Sequence, residues 1–226
     1  MDPTSRSFRE SIRARFQPTG QSWYSIANAA GPVAEVRIYD EIGFWGITAD
    51  DFASELSQIT ADQIVVAINS PGGEVWDGVA IYNALRIHPA SVTTRVDSLA
   101  ASVASIIVQA GDVRQMVDSA QMMIHKAWGL FVGNADDART MADILDQQDG
   151  ILAAIYADRG KGTAADFLSM MADSTWLTAA QAVEHGLADA ILTPKRQQAK
   201  AELPSEPPEA ELHPDLTRQL IDALTL

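Results

Sequence analysis

The sequence predicts an α/β domain built on a largely parallel sheet, and three observations predict it. Residues 63–69, Gln-Ile-Val-Val-Ala-Ile-Asn, form a continuous apolar run closed by turn residues, the pattern of a strand buried on both faces. Helical spacing follows at once, with Val75, Val79, Tyr82 and Leu85 recurring along residues 75–87. The alternation of turn, helix and strand then continues as far as Ile124, and right-handed crossovers convert such alternation into parallel neighbours.

Taken in order, residues 1–32 read as a polar, partly basic arm interrupted by Pro18, Gly20, Gly31 and Pro32. Residues 33–39 alternate apolar and polar positions as a half-buried strand does. Thr48 with Asp51 forms a capping-box pattern, which starts a helix over residues 49–58. After the 63–69 strand, the 75–87 helix stops at His88-Pro89, because the residue before a proline disfavours helix. Strands are expected at 92–96, 113–117 and 122–124, with a helix of small residues over 102–110 ended by Gly111. A long amphipathic helix covers about residues 134–158, with Met141, Leu145, Leu152, Ile155 and Tyr156 on one side. Two short helices follow behind the capping boxes Thr163…Asp166 and Thr178…Gln181, the second closed by Gly186. The domain extends over residues 33–193. Residues 194–226 change to Lys, Arg, Gln, Pro and Glu and read as a solvated linker, ending in a short helix with Leu216, Leu220, Ile221 and Leu224 on one face.

Bulk composition narrows the function. The 226 residues carry 30 acidic against 16 basic side chains, a net charge of −14, so a phosphate backbone or an anionic membrane surface is repelled. With no cysteine, thiolate catalysis, disulfides and Cys-based zinc sites are excluded, and no metal or other cofactor is implied. No apolar run is long enough to span a bilayer and the N-terminus lacks an apolar signal core, so a soluble, cytoplasmic protein is expected.

The chemistry lies in three pieces in chain order: the turn Asn69-Ser-Pro-Gly-Gly73, the stretch from Asp97 to Ser105, and Met123-Ile-His125. A serine hydroxyl is a weak nucleophile that needs a base within reach and donors aimed at the developing oxyanion. Ser102 is the candidate nucleophile, set at a helix start among Ala100, Ala101 and Ala104, which leave room for close approach. On its own that pattern better describes a serine capping a tightly packed helix. Gly72 and Gly73 add weight, because adjacent glycines between a buried strand and a helix bare backbone amides at the carboxyl end of a parallel sheet, where open α/β folds bind ligands. They are the candidate substrate-binding residues. His125, leaving a short apolar strand, is the candidate base. His88 before a proline, His185 ahead of a glycine stop and His213 in the tail each fit a capping or solvent-exposed role. Ser98 and Ser105 are expected to matter little.

Residues 68–73, the Ala-Ala-Ser102 helix start, Met123-Ile-His125, and residues 177–189, Leu-Thr-Ala-Ala-Gln-Ala-Val-Glu-His-Gly-Leu-Ala-Asp, resemble the Clp peptidase family in order and spacing over roughly residues 33–192. The resemblance implies a Clp/crotonase-like fold of repeated β-β-α units with a protruding long helix, and a serine endopeptidase assembled as a ring or stacked rings. It also implies a Ser–His–Asp triad, with oxyanion donors at the backbone N–H groups of Gly73 and Val103. Two positions depart from the family. Ser98 stands where the family usually has Gly, and the family's acid falls at Ser174, with Asp173 the nearest carboxylate. Asp173 is therefore the expected third member, and a dyad supported by Ser174 stays open. The arm, residues 39–46 and the Pro/Glu-rich tail are most similar to the Clp-type head maturation peptidases of tailed phages, which implies ATP-independent processing of capsid or scaffold proteins in the host cytoplasm. A housekeeping Clp subunit working with an AAA+ unfoldase, a crotonase-type acyl-CoA enzyme and a catalytically decayed ring protein are the alternatives.

Overall fold

The computed structural model describes residues 22–43 and 48–193. The first part of the arm, the end of the 39–46 segment, and the tail with Leu216, Leu220, Ile221 and Leu224 lie outside the described residues. The chain divides at Pro194, which is where the composition changes.

Among the described residues eight strands form one mixed sheet in the order β1-β2-β3-β4-β5-β8, with β6 paired to β4 and β7 paired to β6. The strands β2 (Val33–Ile38), β3 (Gln63–Ser70), β4 (Ser91–Ala101) and β5 (Val113–Val117) run parallel, as the alternation of elements predicts, and β8 (Ala190–Leu192) runs parallel to β5. β3 buries Ile64, Val66, Ala67 and Ile68 completely, the two-sided burial that its unbroken apolar run requires. The helices are α1 (Ala49–Leu56), α2 (Val75–Ile87), α3 (Val103–Val108), α4 (Ala135–Arg159), α5 (Ala164–Ala172) and α6 (Ala179–Glu184). All three expected capping boxes form, at Thr48, Thr163 and Thr178, and Asn134 adds a fourth at the start of α4.

Three strands lie where the sequence pattern predicts none. β1 (Tyr24–Ala27) pairs antiparallel with β2, inside what reads as an arm. Tertiary packing accounts for it, because Trp23 stacks on Phe52 at 5.7 Å and Tyr24 meets the same ring edge-on at 5.1 Å. β7 (Thr175–Thr178) pairs antiparallel with β6 (Gln121–Ile124), from Gln121↔Thr178 to Ile124↔Thr175. β8 is held by its pairing with β5 and by Asp189 just before it, which forms a two-oxygen ion pair with the buried Arg114 at 2.5 and 3.1 Å.

β4 is longer than its apolar stretch. Its first half pairs with β5 over Thr93–Val96, and its second half leaves β5 to pair with β6 over Leu99–Ala101. The sheet forks at that point, and the polar Asp97 and Ser98 lie at the fork. Within α4, no residue before Asp149 is buried, whereas Asp149, Leu152, Ala153 and Tyr156 pack inward. Among the described residues no helix is long and apolar enough to cross a membrane.

Candidate active site

Ser102 follows directly on β4, held between the Ser70↔Ala100 pairing with β3 and the Ala101↔Met123 pairing with β6. Its backbone has φ 55 and ψ −133, a conformation that costs a non-glycine residue about 1–3 kcal/mol and persists only when its surroundings fix it. Those surroundings are explicit. The Ser102 N–H donates to the Met123 carbonyl at 2.9 Å, and the Ser102 carbonyl accepts from Ser105 N at 3.0 Å and Ser105 Oγ at 2.5 Å. Because the single hydroxyl proton of Ser105 is committed to that carbonyl, the Tyr156 hydroxyl, 2.7 Å away, must be the donor to Ser105 Oγ. Burial pushes the Tyr156 phenol above its ordinary range, which keeps it protonated for that bond. Ser105, expected to matter little, is thus a structural support of the Ser102 turn.

The Ser102 side chain makes no helix cap. Its Oγ lies 2.7 Å from His125 Nε2. His125 leaves β6 one residue past Ile124, and its two successors are anchored from different helices: Lys126 N–H donates to the Met171 carbonyl of α5 at 3.2 Å, and Ala127 N–H to Asp149 Oδ1 of α4 at 2.7 Å. Burial lowers the His125 pKa below its ordinary value, with the Asp149 charge acting in the opposite sense. Near pH 7 the ring is therefore neutral, the form able to accept a proton.

The glycine turn lies against the serine. Gly72 has φ +101, and a Cβ there would stand 2.6 Å from Ser102 Cβ and 2.8 Å from the Ala101 carbonyl, so only glycine fits. At Gly73 a Cβ would meet the Ile42 carbonyl at 2.0 Å. Ile42 and Gly73 form a parallel bridge in which Ile42 N–H donates to Gly72 O and Glu74 N–H donates to Ile42 O. That geometry points the Gly73 N–H away from Ile42, and it donates to no described backbone acceptor. Val103 N–H belongs to the first turn of α3, where amides have no intrahelical partner. The turn is braced from below by Ser70, whose buried hydroxyl donates to Asp40 O at 2.6 Å and accepts from Gly72 N–H at 3.1 Å. A cavity of about 300 Å³ lined by Tyr39, Asp40, Asn69, Ser70, Pro71 and Leu99 opens over the carboxyl ends of β2, β3 and β4. Beside it Asp97 accepts from the Tyr39 hydroxyl and takes two bonds from Arg95, at 2.6 and 3.1 Å.

Asp173 makes no hydrogen bond to this cluster among the described residues. It is the exposed C-cap of α5, its N–H donates to Ser169 O, and among the described residues no hydrogen bond joins it to His125. Ser174 next to it adopts φ 51 and is exposed, and it makes no bond to His125 either. A residue absent from the sequence reading does face the site: Asp149, only 3% exposed, whose Oδ2 also lies 3.4 Å from Lys126 Nζ. Its signal was its spacing, because Asp149, Leu152, Ala153 and Tyr156 share one helical face. Gly78 of α2 was missed as well. A Cβ on it would stand 2.0 Å from Val103 Cγ2, so this glycine lets α2 approach the residue after the nucleophile. No group of three or more His, Cys, Asp or Glu among the described residues is arranged to hold a metal ion.

Comparison with known proteins agrees with this geometry. A family model described as Clp protease matches residues 19–195. The chain is 31% identical over 170 residues to an ATP-dependent Clp protease proteolytic subunit of Bacteroides thetaiotaomicron, covering 69% of this chain and 76% of the relative. It is 31% identical over 150 residues to an ATP-dependent Clp protease proteolytic subunit 1 of Leifsonia xyli, covering 63% and 76%. A Ligilactobacillus salivarius subunit with the same description as the first is 32% identical over 146 residues, covering 62% and 73%.

Proposed function

Starting from a chain that belongs to the Clp protease family and is a serine-type peptidase, we propose that Ser102 is the nucleophile and His125 the general base of an endopeptidase. The observation that carries this is the 2.7 Å approach of Ser102 Oγ to His125 Nε2 beside two unengaged backbone amides. As Oγ bonds to the scissile carbonyl carbon, its proton passes to Nε2, and the carbonyl oxygen becomes an oxyanion stabilised by the N–H groups of Gly73 and Val103. The imidazolium returns the proton to the leaving amine as the C–N bond breaks. Water, deprotonated by the same ring, then hydrolyses the acyl-enzyme, and the serine recovers its proton. Gly72 and Gly73 line the extended substrate. No step needs a cofactor.

The fold reads as Clp/crotonase-like, with repeated β-β-α units and a protruding α4. Assembly into a ring or stacked rings is supported by the unburied first half of α4 and by Trp128, Leu130 and Val132, which are 72%, 83% and 79% exposed just before it. Such a ring would admit only extended polypeptides to Ser102. The substrate reading is ATP-independent processing of phage capsid or scaffold proteins in the host cytoplasm, supported by the composition of the arm and tail. A second reading, a proteolytic subunit served by an ATP-driven unfoldase, is favoured by the descriptions of the relatives. Fluorophosphonate labelling with peptide mapping tests the nucleophile: label on Ser102 that is lost in Ser102→Ala is expected, and labelling unchanged by that substitution overturns it. Turnover of a fluorogenic peptide but not of an acyl-CoA thioester separates the peptidase from a crotonase-type enzyme. Cleavage of a folded protein only with an unfoldase and ATP would favour the second reading.

A further inference from the structure

A neutral imidazole taking a proton from serine is helped by a group that fixes its orientation and stabilises the positive charge it acquires. His125 Nε2 is engaged with Ser102, and no described hydrogen bond reaches Nδ1. The site nevertheless contains a buried carboxylate whose partners are all on the two residues following the base. Asp149 is 3% exposed, Oδ1 accepts from Ala127 N–H at 2.7 Å, and Oδ2 lies 3.4 Å from Lys126 Nζ.

Burying a carboxylate is costly unless it is paired and hydrogen-bonded, and a merely structural tie to the Ala127 amide would be met by a neutral Asn at lower cost. The ammonium of Lys126 is 47% exposed, so it offsets only part of that charge. What remains acts on the imidazole, the group of this site that gains a positive charge during the reaction. The other acid considered, Asp173, is exposed and forms no bond to the ring.

On the reading of Ser102 and His125 given above, we propose that Asp149 is the positioning carboxylate of this site: from the buried face of α4 it holds the strand-exit segment 125–127 in place and stabilises His125 electrostatically as it becomes an imidazolium. The charged groups on the elements around the ring are Lys126 at the exit of β6, Asp149 on α4 and Asp173 at the end of α5; of these, Asp149 is the one that acts on His125, opposing the effect of burial. The role differs from that of a triad acid, which accepts a hydrogen bond from Nδ1–H, since Asp149 works through the backbone and through its field. It also explains how a chain with Ser at position 174 can keep a working base.

The test is the titration of His125, followed by NMR of its ring protons in the full chain, together with the pH dependence of fluorophosphonate labelling. Asp149→Asn keeps an acceptor for the Ala127 amide and removes the charge. It should lower the His125 midpoint and slow labelling about 10- to 10²-fold. Lys126→Gln, an exposed change that leaves the core intact, frees the carboxylate of its ammonium and should raise the midpoint. A purely structural Asp149 would leave the midpoint in Asp149→Asn unmoved. An unmoved midpoint in Asp149→Asn overturns the proposal, and so does an unmoved midpoint in Lys126→Gln if the Asn variant does not fold. Labelling that persists in Ser102→Ala overturns instead the reading of the nucleophile, and the proposal with it.

Discussion

Gly78→Ala should disable the site with little damage to the fold. Gly78 has ordinary helical backbone within α2, so alanine brings no strain of its own and favours helix by about 1 kcal/mol. The difficulty is space. The new methyl would lie 2.0 Å from Val103 Cγ2, 2.8 Å from Cγ1 and 2.9 Å from Cβ, against a normal carbon contact of about 3.5–4.0 Å. A rotamer change at Val103 clears the two methyls but not Cβ, so α2 and α3 must separate by about 1 Å at that point. Overpacking of this kind costs about 1–3 kcal/mol, which the helix propensity partly offsets, leaving a net loss of roughly 0–2 kcal/mol. Val103 directly follows Ser102 and carries a proposed oxyanion donor, and a misplacement of about 1 Å costs on the order of 10² in rate. Urea unfolding should therefore show a small drop in midpoint while fluorophosphonate labelling slows about 10²-fold. Adding Val103→Ala removes the two methyls but not the Cβ contact, and should recover roughly tenfold of that loss, a coupling typical of touching residues. A Gly78→Ala protein labelled at the wild-type rate would refute this account of the nucleophile turn.

Because burial lowers His125 and only its neutral form accepts a proton, the labelling rate should stay level from pH 8 to 7 and fall only as pH drops below the ordinary histidine value; a midpoint above that value would contradict the burial. Asp173→Asn and Ser174→Ala, both exposed and unbonded to the base, should change peptide turnover by no more than about twofold, and a loss of roughly 10²-fold or more in either would restore it to the triad. Charge placed at Leu130 and Val132 should dissociate the expected oligomer in analytical ultracentrifugation, and an unchanged sedimentation profile would remove that surface from the interface. Leu152 is unsuitable for that experiment, since it is buried inside the protomer.

The parts of this chain that were legible in its sequence are those whose local chemistry already agrees with the fold. The run at residues 63–69, the three Thr capping boxes, and the order of glycine turn, serine and histidine all need only neighbours a few residues away to be recognised. β1, β7 and β8 needed partners. Each has three or four residues without a clear alternation, and each is a strand because something distant pairs with it. The nucleophile was legible as a residue but not as a conformation: nothing in Ala-Ala-Ser-Val states that Ser102 adopts φ 55, because that angle is imposed by Met123, Ser105 and Tyr156. Asp149 was hidden by its type, since an acid in the run Asp146-Gln-Gln-Asp149 reads as a solvated helix face unless its phase with Leu152 and Tyr156 is compared.

The pairing of β6 with β7 has an evolutionary consequence. Ile124 and Thr175 are neighbours in that ladder, so everything between them is an excursion whose two ends are tied together. The closure entropy of such an excursion grows only slowly with its length, so insertions within it are inexpensive in stability. Its chain is not uniform, however. No residue of 128–148 is fully buried in the protomer, while Asp149, Leu152, Ala153 and Tyr156 are packed into the body. The first portion can therefore be lengthened, shortened or rewritten to suit new neighbours while the hydrolytic pair stays in place, and the second cannot. Descendants of this scaffold should diverge in what they assemble with far faster than in what they cut with.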